Sequence, residues 1–161
     1  MNIVNLSHRR GAILPLLQQV HTMLLKDGQN LPNHVFWKRE IGAEITNIDY
    51  KWIFALEGVK VVHGFLFYNV GQDKNSIYIN NLVAQPKVAS TIKLLLTKFE
   101  RDDEVRRVQN FYLSRNIKRE TNDEILETVG LQDDTVYNTK GYQFVGNLSK
   151  TIDVLKYRYS A

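Results

Sequence analysis

The chain has 161 residues, of which 43% are hydrophobic and 24% are charged, and its formal net charge at pH 7 is +4. This size and composition predict one globular domain over residues 1–161 and exclude an intrinsically disordered chain. Cysteine is absent, which excludes disulfides and thiolate metal sites and fits a reducing, cytoplasmic location. No apolar run is long enough to cross a bilayer, so we expect no membrane partner. The mild positive charge favours anionic ligands such as nucleotides, but it is too diffuse to predict nucleic-acid binding.

The first residues predict a strand followed by a helix. Residues 2–8 have the composition of a short strand that ends at the Arg9-Arg10-Gly11 turn, and residues 12–26 repeat apolar positions at helical spacing. His21 lies beside the apolar face of this helix. We expect it to be packed or half-exposed and not a metal ligand, because no second metal-type residue follows three or four positions later.

Residues 27–49 have no clear period. Within them, Phe36 and Trp37 stand next to Lys38 and Arg39. We favour a short second helix that the two aromatic side chains anchor on the sheet. The alternative is an exposed aromatic and basic loop that contacts a substrate, a nucleic acid or a partner protein.

Residues 50–70 predict a β-hairpin with a tight turn at Glu57-Gly58. Apolar residues occupy both faces of its second strand, which predicts burial on both sides. Gly64 within that strand predicts a bulge or a close approach by another backbone. His63 beside it is expected to be structural, as strand histidines usually are, and a catalytic base is the less favoured alternative.

Residues 76–100 predict a strand, a turn at Pro86 and a helix that begins near Ser90 and Thr91. A strand that leads into a helix leaves free backbone N–H groups at the positive end of the helix dipole, where a phosphate group can bind. The alternative is an ordinary βα unit that binds no ligand, which is the commoner case.

The rest of the chain predicts a strand over 105–113, a short helix before Gly130 and a closing hairpin over 141–159. Strand alternation would point Arg106 and Arg107 to opposite faces, so they would not form one basic patch. The four histidines are scattered singly and no metal-binding spacing occurs, so we predict no metal site.

Three local patterns, in this order, resemble the GNAT acetyltransferase superfamily. They are the hairpin LEGVKVVHGFLFY, the strand and proline turn NNLVAQPKV before a helix, and YNTKGYQFVG, which is similar to the family's signature of tyrosine, three residues, glycine and an aromatic residue. The resemblance covers about residues 1–159. It implies an α/β (α+β) fold with a mixed, largely antiparallel sheet, helices on both faces and the order β-α-(α)-ββ-βα-β-α-ββ. It also implies that an acyl-CoA lies where the sheet opens between the central strand and the strand at 105–113.

The resemblance implies acetyl-CoA, or another acyl-CoA, as the cofactor. It places the backbone of Leu82, Val83 and Ala84 along the pantetheine arm, with Asn116 as a polar contact. The pyrophosphate would face the backbone N–H groups of the following turn, with added charge from its lysine: Lys87, Val88, Ala89, Ser90 and Thr91.

The catalytic residue that the resemblance implies is Tyr137, which would protonate the leaving CoA thiolate as a general acid. In an alternative register of the same pattern, Leu126 would stand in that place. Tyr137 is favoured because the residues after it lead directly into the last predicted hairpin.

Two features depart from the family pattern. The segment 87–91 contains no glycine, although glycine there lets the backbone approach a phosphate closely and adopt unusual φ values. The central strand has Asn80 and Asn81 where the family often carries a carboxylate base, and asparagine takes no proton near neutral pH. Catalysis by bringing the two reactants together does not need that base.

We therefore predict an acyl-CoA-dependent N-acyltransferase that transfers an acetyl group to a primary amine, of a small molecule or a protein, by direct attack. The alternative from another class is a catalytically inactive GNAT-like binding or regulatory protein. A weaker third hypothesis is a module that contacts nucleic acid through basic side chains, namely Lys38, Arg39, Arg106, Arg107, Lys118 and Arg119. A homodimer is compatible with each of these functions.

Overall fold

A six-stranded sheet forms the frame of the residues that the computed structural model describes, which are 1–117 and 140–159. Its strands are β1 (Asn2–Asn5), β2 (Tyr50–Glu57), β3 (Val61–Val70), β4 (Ser76–Ala84), β5 (Asn110–Ser114) and β6 (Tyr142–Gly146). They lie side by side in sequence order, and β4 and β5 run parallel while the other neighbours are antiparallel. The predicted α/β fold with a mixed, largely antiparallel sheet is confirmed.

Helices cover both faces of the sheet. They are α1 (Arg10–Ile13), a 3-10 turn (Leu14–Leu16), α2 (Leu17–Lys26), α3 (His34–Thr46), α4 (Val88–Glu100), α5 (Asp103–Arg107) and α6 (Leu148–Arg158). Within the described residues, no helix is both long enough and apolar enough to span a bilayer.

Two hydrophobic cores lie on the two faces, and β3 contributes to both. Its residues alternate, with Phe65 and Phe67 in the core under α2 and α3, and Leu66 and Tyr68 in the core under α4 and α6. Side chains on a strand point to opposite faces in turn, so this alternation confirms the predicted burial of β3 on both sides.

The N-terminal helical segment and α3 hold the first of these cores in place. His21 of α2 is buried, and its Nε2 lies 2.8 Å from the carbonyl oxygen of Pro32, which confirms the packed role. The side chain of Asn33 caps α3 by accepting a hydrogen bond from the backbone N–H of Phe36. Only one of the two predicted anchors is buried, because Trp37 is 6% exposed while Phe36 is 52% exposed.

Gly64 lies where β3 and β4 approach closely, as its position predicts. A Cβ atom at Gly64 would stand 2.9 Å from the carbonyl oxygen of Val83. A bulge also occurs here, because Ala55 pairs with Gly64 while the next residue pairs with Val62. The extra residue is His63, whose Nε2 lies 2.7 Å from a carboxylate oxygen of the exposed Glu57, and this contact lowers the pKa of Glu57. The histidine thus has a structural partner at the hairpin.

The strand predicted over 105–113 is wrong in its first half. Residues Asp103–Arg107 form α5, and β5 begins only at Asn110. The side chain of Asp102 accepts a hydrogen bond from the backbone N–H of Glu104 and so caps this helix. Acidic residues occupy the first turn and basic residues the last, which suits the helix dipole. The strand alternation expected for Arg106 and Arg107 therefore does not exist.

The closing hairpin predicted over 141–159 is also wrong. Its first strand exists as β6, but the second is replaced by the helix α6. Asn147 caps this helix, because its side chain accepts a hydrogen bond from the backbone N–H of Lys150 at 2.9 Å. Ile152, Leu155 and Tyr159 recur at helical spacing and are buried in the core that α4 shares.

Candidate functional site

β4 and β5 separate in the middle of the sheet. They pair in register from Ser76 with Asn110 to Ile79 with Leu113, and β4 then continues to Ala84 without β5 beside it. A bulge marks the same point, because the β3 partners of Ile79 and Asn81 are adjacent residues and Asn80 is left over. A bulge bends its strand and increases the local twist. β5 ends at Ser114, so the residues of β4 beyond Ile79 have no strand on this side, at the place where the family resemblance implied an opening.

A cavity of about 360 Å³ lies at this opening, on the side of the sheet that α2 and α3 cover. Its apolar walls come from Leu24, Leu31, Trp37, Ile41, Trp52 and Phe67. Its polar residues include Gln29, Glu44, Asn80, Asn81, Arg115, Asn116 and Tyr142. Aliphatic and aromatic walls with a few polar groups are typical of a small-molecule site.

Among the described residues that line this cavity, Glu44 of α3 is the one that carries a carboxylate. Burial raises the pKa of Glu44 above the ordinary glutamate value. A carboxylate with a raised pKa holds a proton more readily and is suited to act as a general base near neutral pH. Sequence reasoning missed it, although Glu44 follows the buried Trp37 and Ile41 by seven and three positions on the same helix.

Tyr142, at the start of β6, closes a chain of hydrogen bonds across the opening. Its hydroxyl donates to Oδ1 of Asn80, and Nδ2 of Asn80 donates to Oδ1 of Asn69 at 2.8 Å. Burial raises the pKa of Tyr142, and the neighbouring Tyr50 and Glu44 raise it further. Tyr142 therefore stays protonated and acts as a donor. Asn80, which cannot serve as a base, orients this hydroxyl instead.

No protein family model matches this chain, and no curated protein sequence matches it. Solved structures do match its fold. A GNAT-family acetyltransferase from Staphylococcus aureus has a TM-score of 0.59 at 11% identity, and the match covers 90% of this chain and 99% of that one. PaiA N-acetyltransferase from Thermoplasma acidophilum, solved with coenzyme A, has a TM-score of 0.53 at 15% identity over 91% and 99% of the two chains.

A third match is aminoglycoside 6'-acetyltransferase type Ii, with a TM-score of 0.56 at 14% identity over 82% of this chain and 83% of that one. The fold is a GNAT fold. Similarity at this level of identity shows a shared architecture, and the activity must be argued from the residues of this chain.

The GNAT fold places the predicted pantetheine residues on the part of β4 beyond its pairing with β5. Leu82, Val83 and Ala84 are all buried, and on one side they pair with β3. On the other side, the hydroxyl of Tyr159 donates a hydrogen bond of 2.7 Å to the carbonyl oxygen of Leu82. This part of the predicted free backbone edge is therefore occupied by a side chain from the end of α6.

The predicted phosphate turn is the start of α4. This helix begins at Val88, two residues before the predicted start, with Lys87 as its N-cap residue. Lys87, Ala89 and Ser90 are exposed, and the first N–H groups of a helix have no partner within it. No residue of 87–91 has a positive φ, so the absence of glycine causes no backbone strain. The side chain of Thr91 is buried beside Gly64 and belongs to the core.

The remaining predicted residues have different positions. Asn116 is exposed at the edge of the cavity, next to Arg115. Tyr137 and its alternative Leu126 lie outside the described residues, as do Lys118 and Arg119 of the basic set. Within the described ranges, no cluster of histidine, aspartate and glutamate side chains could hold a metal ion.

Proposed function

We propose that this protein is an acyl-CoA-dependent N-acyltransferase that moves an acetyl group from acetyl-CoA to a primary amine. The observation that carries the proposal is a cavity with a half-buried carboxylate, Glu44, at the point where β4 and β5 separate. Structures with a similar fold have been solved in complex with CoA, which supports an acyl-CoA as the cofactor.

The cofactor would lie along β4 on the side of α4. Its pyrophosphate would meet the first turn of α4, where the helix dipole and the exposed Lys87 favour an anion. Its pantetheine amide would pair with the backbone of Leu82, in the manner of an added strand. Binding in this position displaces the Tyr159 hydroxyl from the Leu82 carbonyl.

The reaction requires the acceptor amine in its neutral form. Glu44 takes a proton from the ammonium group, and the freed nitrogen lone pair attacks the thioester carbonyl carbon. A C–N bond forms, the C–S bond of the tetrahedral intermediate breaks, and the thiolate of CoA leaves. The cationic nitrogen of the tetrahedral intermediate loses one proton to solvent, which leaves a neutral amide. Tyr137, assigned from the sequence pattern, gives the thiolate a proton and regains one from solvent, and Glu44 releases its proton to solvent. Tyr142 lies in the same cavity and gives its one hydroxyl proton to Oδ1 of Asn80.

The experiment combines binding and turnover. Isothermal titration with acetyl-CoA should show saturable binding, and release of CoA thiol should follow addition of a primary amine. Glu44→Gln should lower kcat/KM by about 100-fold or more, the usual contribution of a general base. Glu40→Gln is the matched control, because Glu40 is an exposed residue of the same helix. Absence of heat with millimolar acetyl-CoA contradicts the proposal.

A second function has specific support. The hydrogen bond from Tyr159 to Leu82 occupies the backbone edge that a cofactor would need, and it favours a GNAT-like protein that binds or regulates without catalysis. This alternative predicts that no CoA thiol is released when a primary amine is added and that Tyr137→Phe leaves every measurable activity or binding unchanged. The turnover measurement described above separates the two functions.

A further inference from the structure

A second cavity, of about 300 Å³, lies between α4 and α6 on the other face of the sheet, and we call it the α4–α6 cavity. Four of its lining residues form a largely apolar wall, namely Ala89, Ile92, Leu96 and Tyr159. The other two are lysines, Lys93 of α4 and Lys156 of α6. None of the described residues that line it carries a carboxylate. The cavity therefore combines an apolar wall with two cations.

The two lysines have no anionic partner in the part of the chain that the structure describes. Both residues are exposed, and neither forms a salt bridge there. The carboxylates of Glu100 and Asp153 line a different cavity, which shares Lys156. Two like charges at one small cavity repel each other, and an anion between them offsets this repulsion. A lysine side chain is long and flexible and carries three donors, so both ammonium groups can turn toward one bound phosphate.

The α4–α6 cavity adjoins the path of the cofactor in the proposed function. Ala89 belongs to the first turn of α4, where the pyrophosphate would lie, and Tyr159 contacts the carbonyl of Leu82, where the pantetheine would lie. Lys93 follows Ala89 by four residues, which is about 6 Å along the helix axis. CoA carries another phosphate on the 3′ oxygen of its ribose, one sugar away from the pyrophosphate. That end of CoA can therefore reach the cavity.

Resting on the proposed function, we propose that the α4–α6 cavity binds the adenosine 3′-phosphate end of CoA. Lys93 and Lys156 hold the 3′-phosphate from the two helices, as lysines commonly do with phosphate groups. The adenine ring packs on the apolar wall beside them. The two lysines then determine specificity, because 3′-dephospho-CoA differs from CoA only in lacking this phosphate.

Binding can be measured without any acyl group or acceptor amine. Calorimetric titration at low salt compares CoA with 3′-dephospho-CoA, and adenosine 3′,5′-bisphosphate with adenosine 5′-monophosphate. In both pairs we expect the ligand with the 3′-phosphate to bind about tenfold more tightly, since each exposed ion pair contributes a modest amount. The preference should shrink as salt is added, because salt screens exposed charges.

Variants of the two lysines test the assignment. Lys93→Gln and Lys156→Gln should each reduce the preference for CoA over 3′-dephospho-CoA to about threefold, and the double variant should bind the two equally. Binding of 3′-dephospho-CoA should not change. Lys98→Gln in α4 and Lys150→Gln in α6 are the matched controls, because they remove the same charge from exposed residues outside the cavity. Both controls should keep the full preference, and thermal melting verifies that each variant is folded.

The outcomes separate this inference from the proposed function. Equal binding of CoA and 3′-dephospho-CoA, an unchanged preference in the double variant, or an equal loss in the controls overturns the inference even if acetyl transfer occurs. Absence of binding by both CoA and adenosine 3′,5′-bisphosphate overturns it as well. A preference that the lysine variants remove, with no release of CoA thiol from acetyl-CoA and a primary amine, supports the inference and contradicts the proposed function.

Discussion

Glu44 is a half-buried carboxylate, and its burial costs stability. Burial raises its pKa, which means that the folded state disfavours the ionised carboxylate. The stability of the fold should therefore fall as the pH rises from the ordinary glutamate pKa through the raised value in the folded state. The cavity also places this carboxylate among aromatic and aliphatic walls, where an ammonium ligand would relieve the unfavourable burial.

Replacing Glu44 with glutamine removes this titration. We expect the melting temperature of Glu44→Gln, relative to that of the unchanged protein, to increase between pH 4 and pH 7. The unchanged protein loses stability as Glu44 ionises in its buried position, whereas glutamine does not ionise. Melting curves at several pH values measure this difference. Glu40→Gln, at an exposed position of the same helix, should show no such trend. A difference that stays constant with pH contradicts the assignment.

Gly64 tests the close approach of β3 to β4 and to α4. A Cβ atom there would meet the carbonyl oxygen of Val83 at 2.9 Å and Cγ2 of Thr91 at 3.0 Å. Gly64→Ala should therefore lower the free energy of unfolding by about 1–3 kcal/mol. Gly42→Ala is the matched control, since it lies in α3 with no atom within 4 Å of its Cβ position. The control should gain roughly 0.5–1 kcal/mol, and urea unfolding measures both.

A hydrogen bond at the end of α6 holds the backbone of β4, because the hydroxyl of Tyr159 donates to the carbonyl oxygen of Leu82 at 2.7 Å. In the proposed function, a pantetheine amide would bind this same carbonyl. Tyr159→Phe should lower the free energy of unfolding by about 1 kcal/mol through the lost hydrogen bond. The same change should tighten CoA binding several-fold, because the cofactor no longer competes with the hydroxyl.

Calorimetric titration of CoA into both proteins measures this effect. Tyr157→Phe removes a hydroxyl from an exposed residue of the same helix and serves as the control. Weaker binding in Tyr159→Phe would show that the tyrosine hydroxyl contacts the cofactor itself. Unchanged binding would show that the Leu82 carbonyl takes no part in binding.

Elements with a strong apolar pattern were predictable from the sequence, and two helices, α5 and α6, were not. The hairpin of β2 and β3 has a strong apolar pattern and a tight turn, and it was found with its bulge at Gly64. α5 and α6 were missed because both segments were interpreted as strands with a two-residue alternation. The side-chain caps at Asp102 and Asn147, which begin these helices, were not recognised.

The site was predictable only in part, for a related reason. The opening between β4 and β5 followed from the family resemblance and not from any local signal. The bond between Tyr142 and Asn80 joins residues 62 positions apart, and no periodicity encodes such a pair. Glu44 was hidden because its helix was predicted only as a short one with uncertain bounds, so the side chains on its buried face could not be assigned.

In the molecule as a whole, one sheet separates two cores, and a cavity lies where β5 ends beside β4. The first half of β4 is held by β3 and β5 together, whereas the second half pairs with β3 alone. Segments with fewer backbone partners open more easily. The cavity therefore lies beside the half of β4 whose backbone opens more easily, whereas the hairpin of β2 and β3 is held more firmly.

Hydrogen exchange with and without CoA tests this division of the molecule. If the cofactor lies along β4, the backbone amides of 82–91 should exchange about tenfold or more slowly when CoA is bound, because binding to the native state suppresses local opening. The turn over residues 71–75 joins β3 and β4 at the end of the strands opposite Ala84 and should exchange equally in both samples. Protection that is strongest in β1 and β2 and absent from 82–91 would place the cofactor elsewhere on the sheet. α4 packs on β4 and on α6, so CoA should also affect the end of α6. We expect the amides around Tyr159 to gain less protection than those of 82–91, because the cofactor covers this end of the helix but displaces the Tyr159 hydroxyl.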